Sequence, residues 1–135
     1  MSHPAPTTPT AAAADHPVTD RVLEAMAISR RHPHGSKVWA AEVMHGAPVI
    51  QDYLETTLRD WTNGRISVIQ RWIDQGQMAP INPRHLLYML WATTQHYADF
   101  GHQIETLNAG PLSDADWQKA TDSVKTMILR GIGAL

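Results

Sequence analysis

From Val18 to the C-terminus, large apolar side chains recur at steps of three, four or seven residues, and no stretch alternates apolar with polar at every second position. A half-buried strand needs that alternation, so the chain is predicted to be all-α. Val22, Leu23, Met26 and Ala27 form a first stripe, on a helix capped by Thr19 or Asp20 and ended near His32 by Pro33. Ser36 is predicted to cap a short second helix carrying Val38, Trp39, Glu42 and Val43 and stopped at Gly46. Pro48 opens a long third helix. Its residues Ile50, Leu54, Leu58, Trp61, Val68 and Trp72 share one face up to Gly76, with a kink expected at Asn63-Gly64. Asn82-Pro83 predicts a capped start for a fourth helix running to about Leu107. Its first turns, with Leu86, Leu87, Met89, Leu90, Trp91 and Ala92, are apolar on nearly every side, which implies neighbours on more than one side. Ser113 and Asp116 have capping-box spacing and open a last helix. That helix bears Trp117, Ala120, Thr121, Val124, Ile128, Gly131, Ile132 and Leu135, so about five helices are expected in one bundle.

At 135 residues the chain suits one domain with a modest core, and 43% apolar against 18% charged residues fits a folded body. Residues 1–17 differ: this Pro/Thr/Ala-rich stretch holds no apolar side chain larger than alanine after Met1 and is predicted to be a disordered tail, leaving 18–135 as the domain. The absence of cysteine excludes disulfides, thiolate metal sites and a thiol nucleophile. Eleven Lys and Arg against thirteen Asp and Glu give a net charge of −2, short of the basic excess that duplex binding usually needs. No apolar run is long enough for a membrane span, and a cytoplasmic protein is expected.

The eight histidines raise the question of a metal. His32 and His34 sit in a Pro/Gly loop, while Asp99, His102 and Glu105 would need ligands from a facing helix, so no metal site and no cofactor is expected. Neither a G-x-S-x-G elbow nor a Gly-rich phosphate loop occurs, which argues against an enzyme. The most informative stretch is Trp91-Ala92-Thr93-Thr94-Gln95-His96-Tyr97-Ala98-Asp99-Phe100. On a helix Trp91, Thr94, Gln95 and Ala98 share one face, placing an indole one turn before a hydroxyl and an amide. Such groups on an apolar face either bond neighbouring helices or water, or orient a ligand in a small pocket.

That stretch, together with Ser29-Arg30-Arg31-His32-Pro33, Ser36-Lys37-Val38-Trp39-Ala40-Ala41-Glu42, Gly46-Ala47-Pro48, Ile69-Gln70-Arg71-Trp72-Ile73 and the run from Gly76 to Leu86, resembles the C-terminal regulatory domain of TetR-family repressors, in the pyrimidine-sensing branch. The resemblance runs in order from about Val18 to the C-terminus. It implies an effector-binding and dimerisation domain without its own helix-turn-helix, hence no specific DNA binding by the chain alone. It also implies a homodimer on the last two helices, through Trp117, Ala120, Thr121, Val124, Ile128 and Gly131. The effector expected from it is small and planar, a pyrimidine base, held by Trp91 and Gln95 with Trp39 as apolar wall. Thr94 and Tyr97 follow as secondary contacts, since a threonine can bond backbone carbonyls and Tyr97 can face a dimer partner. The other reading is a helical interaction module with a vestigial pocket that modulates an intact TetR-family partner.

Overall fold

The computed structural model describes residues 16–134. Most of the predicted tail and Leu135, the last member of the C-terminal stripe, lie outside the described residues. Among the described residues there are six helices and no strand, so the chain is all-α. The first helix, α1 (Pro17–Arg31), starts before either predicted cap: His16 is the N-cap, its Nδ1 accepting the Val18 N–H at 3.1 Å, and Pro17 takes the first helical position, where a missing N–H costs nothing. The first helix thus includes Pro17, one residue before Val18.

Only His32 separates α1 from α2 (Pro33–Met44). Ser36 lies inside α2 instead of capping it, and its hydroxyl donates to Asp99 Oδ1 at 2.5 Å. Gly46 and Ala47 both adopt positive φ, and Ala47 N–H closes the end by bonding Glu42 O at 2.9 Å. The third helix, α3, is continuous over 51–74 and starts at Gln51, later than Pro48. A single α turn (Gln51–Tyr53) leads into a π segment (Leu54–Leu58) and then a long α segment (Arg59–Asp74). The helix runs unbroken through Asn63-Gly64, a glycine costing a helix interior only about 1 kcal/mol against alanine. The irregularity sits in the π segment instead.

Asn82 caps α4 (Pro83–Asp99) as predicted, its side chain accepting from the Arg84 and His85 N–H groups. This helix does not reach Leu107. Phe100 leaves helical geometry, and a separate α5 (Gly101–Leu107) follows, with Gly101 at the break. The capping box is present at α6 (Asp114–Gly131), with Asp116 N–H to Ser113 Oγ at 3.1 Å and Ser113 N–H to Asp116 Oδ2 at 2.9 Å.

The core runs along α1, whose Val18, Val22 and Met26 meet Leu86, Leu87 and Leu90 of α4, with Val124 and Leu129 of α6 and Ile69 of α3 completing it. Each such burial contributes about 1.5–3 kcal/mol. No residue of α2 is buried. The consequence for function is positional: α4 touches α1, α2 and α3 on one side and α6 on another, so its residues divide between two environments.

Candidate functional site

Trp91, half-buried near the middle of α4, is the point where three recesses meet. One, between α1, α3 and α4, has a volume of about 200 Å³ and is walled by Trp61, Val68, Leu87 and Leu90. A second, of about 390 Å³ between α1, α2 and α4, is bounded by Ser29, Ser36, Trp39, Thr94 and Gln95. The third, of about 490 Å³, runs under Trp39 to Leu54, Leu58 and Trp61. Together they form one cleft around an indole. Trp61 lies nearly parallel to Trp91, with centroids 6.2 Å apart and planes at 21°, and Tyr88 flanks Trp91 at 5.8 Å. Trp39 is held edge-on against Tyr53 at 6.1 Å.

Four of the five predicted ligand contacts therefore converge: Trp39, Trp91, Thr94 and Gln95. Their states differ. Thr94 is only 1% exposed and its hydroxyl already donates to Leu90 O at 2.8 Å, while its carbonyl accepts the Ser29 hydroxyl at 2.8 Å, fastening α1 to α4. Gln95 is half-buried, and its side-chain amide has no protein hydrogen-bond partner among the described residues. Tyr97 does not join them. It points to the α6 side, packing against Trp117 with centroids 6.0 Å apart, because it stands two residues and about 200° around the helix from Gln95.

Sequence reasoning missed Trp61 and Arg65 as part of the cleft. The guanidinium of Arg65 sits 5.1 Å from the Trp61 ring, an i, i+4 pair of aromatic and cation that the spacing Trp-x-x-x-Arg already displays. The Ser36–Asp99 bond, which ties α2 to the end of α4, carried no such local signal.

The six predicted dimer residues divide. Val124, Ile128 and Gly131 line an outward groove of about 570 Å³ with Met89, Thr93, Tyr97 and Met127. Trp117 and Thr121 face the other way, into the α1/α6 furrow, where Arg30 bonds Asp114 and stacks over Trp117 at 5.5 Å. Ala120 packs against the core. Val124 is itself 4% exposed and part of the core of the single chain. Among the described residues no three potential metal ligands converge, and no helix is long and apolar enough to cross a membrane.

A helical domain with a ligand-sized cleft on one side of its central helix and an apolar groove on the other has the layout of the regulatory half of a TetR-type transcription regulator. The chain belongs to that group: residues 8–135 match the family described as YcdC-like protein, C-terminal region. It is 36% identical over 106 residues to the HTH-type transcriptional regulator RutR of Escherichia coli strain K12, and equally so to those of Escherichia coli O157:H7 and Shigella flexneri. The aligned part is 78% of this chain and 50% of each relative, so the chain spans about half the length of the curated relatives it matches.

Proposed function

We propose that this domain is the effector-sensing and dimerising part of a cytoplasmic TetR-type regulator, and that its cleft receives a small planar ligand with a polar edge, a pyrimidine nucleobase. The observation that carries the reading is the Gln95 amide, half-buried beside Trp91 with no protein hydrogen bond among the described residues. A primary amide presents a donor and an acceptor side by side, the complement of the N–H and C=O of a cyclic imide edge. The Trp91 face supplies the apolar surface that a planar base needs. Thr94 contributes shape rather than a free donor, since its proton is engaged by Leu90.

The test is calorimetry of the full chain with uracil and thymine. Gln95→Leu keeps the side-chain volume and deletes both hydrogen-bonding groups, so it is expected to remove binding while leaving the thermal midpoint nearly unchanged. Equal binding by the variant refutes the role of Gln95. Silence from the unmutated protein refutes base sensing and leaves the interaction-module reading, in which the Met-lined groove acts on a TetR-type partner. With eleven basic against thirteen acidic residues spread through the helices, these 135 residues are expected to give no footprint on a defined operator.

A further inference from the structure

The 200 Å³ recess between α1, α3 and α4 is apolar in its depth, with Val68, Leu87 and Leu90 as floor. Its rim carries three charges: Arg21 and Glu24 from α1 and Arg65 from α3. Arg21 and Glu24 lie one turn apart and pair at 3.6 Å, so they largely cancel. Arg65 has no such partner. It is half-buried over Trp61, and no carboxylate among the described residues comes within ion-pair distance of it.

An arginine cannot shed its proton, and a cation at the edge of an apolar recess loses hydration that the Trp61 face replaces only in part. The group that restores the balance is a planar carboxylate, which matches the guanidinium fork with two parallel hydrogen bonds. Shape narrows the rest of the ligand. The recess is somewhat larger than the roughly 150 Å³ cavity that admits benzene, so it suits one ring and not a fused system. Trp61 and Trp91 offer near-parallel ring faces at its wall, and Trp91 and Thr94 belong equally to the recess that contains Gln95.

We infer that the effector is a monocyclic planar ring bearing a carboxylate, with the ring on Trp91 and the acid group on Arg65. This rests on the base-sensing reading above and adds to it the acid group and the residue that selects for it. Glu24, on the opposite rim, stays engaged by Arg21 and so does not oppose the ligand's charge.

Calorimetry with two probes tests the inference: uracil, and uracil-6-carboxylate, which differs by the acid group alone. The carboxylate is expected to bind about tenfold tighter or better, as a charge-assisted hydrogen bond warrants. Arg65→Gln should bring the two probes to within about twofold while leaving the thermal midpoint in place, and Arg65→Lys should restore part of the preference because it keeps charge without the fork. Equal affinities in the unmutated protein, or a preference that survives Arg65→Gln, overturns the inference. Uracil binding that depends on Gln95 but gains nothing from the carboxylate overturns this inference alone, whereas failure of both probes to bind overturns the base-sensing reading with it.

Discussion

His16 shows how a single residue can tie folding to pH. Its ring is 6% exposed, caps α1 through Nδ1 and stands edge-on to Trp72 at 5.3 Å. Burial, partly opposed by the Gln77 backbone, holds its pKa below the ordinary histidine value. The unfolded chain therefore takes up a proton near pH 6.5 and the folded chain only at lower pH. Between those two points the unfolded state binds more protons, so stability falls as pH drops through the window and is independent of His16 above it. Asparagine can still cap a helix but does not titrate, so the urea midpoint of His16→Asn should lose part of this acid-side decline. Unchanged pH profiles for the two proteins would exclude the role. His16 was not legible as a cap, since histidine is not a usual N-cap and the prediction favoured Thr19 or Asp20. Gln95 and Trp91 were legible, because one turn of helix fixes their relation. Tyr97, expected only as a secondary contact because it can face a dimer partner, is turned to the opposite side by the same rotation taken two residues further.

At the scale of elements, what was legible is what is encoded locally. Ser113 with Asp116, and Asn82 with Pro83, specify helix starts within a few residues of sequence, and both are seen. The break at Phe100 and the π segment are not encoded that way. Both insert a local irregularity into a stretch whose apolar spacing reads through without interruption, so period alone cannot reveal them. The π segment has a specific effect: one extra residue within the turn resets the direction of everything before it, including Tyr53, which meets Trp39 above the cleft. Deleting Thr57 should convert the turn to α geometry and rotate the upstream residues by about 100°. None of the residues from Gln51 to Leu58 is buried, so the melting temperature should shift by only a few degrees. Nucleobase affinity should nevertheless drop at least about tenfold, an effect that calorimetry separates from loss of fold. Full affinity after the deletion would show that the π segment has no part in shaping the recess.

At the scale of the whole molecule, the described residues leave the groove between α4 and α6 open. Met89 and Met127 beside it are 66% and 74% exposed, whereas Val124 at its floor is 4% exposed. An apolar groove rimmed by exposed methionines suits a second copy of the same surface, in keeping with TetR-type dimerisation. Two substitutions should then behave differently. Met127→Glu is expected to give a folded monomer by light scattering with helical circular dichroism retained. Val124→Asp buries an unpaired carboxylate and should unfold the chain, at a cost of several kcal/mol. A dimer that persists in Met127→Glu would rule out the groove as its interface. The predicted stripe on the last helix was correct as a stripe, but helical spacing cannot say which part of it the subunit's own α1 and α4 consume. That depended on the placement of α1, which is a tertiary fact.

The absence of any buried residue in α2 has a kinetic consequence. This helix forms one wall of the cleft and packs on α4 through partly exposed residues and the Ser36–Asp99 bond, while α1 and α4 are anchored by the core. Its amides should consequently exchange with solvent deuterium through a low-energy opening, well below the free energy of global unfolding. Ligand entry would share that opening, so the observed association rate should level off at high ligand concentration instead of rising linearly. Hydrogen-exchange mass spectrometry should find α2 the earliest of the four cleft helices to label in the free protein and the most strongly slowed when the cleft is filled. A ligand in the cleft is then expected to prolong the closed state, which the slowed exchange of α2 would report.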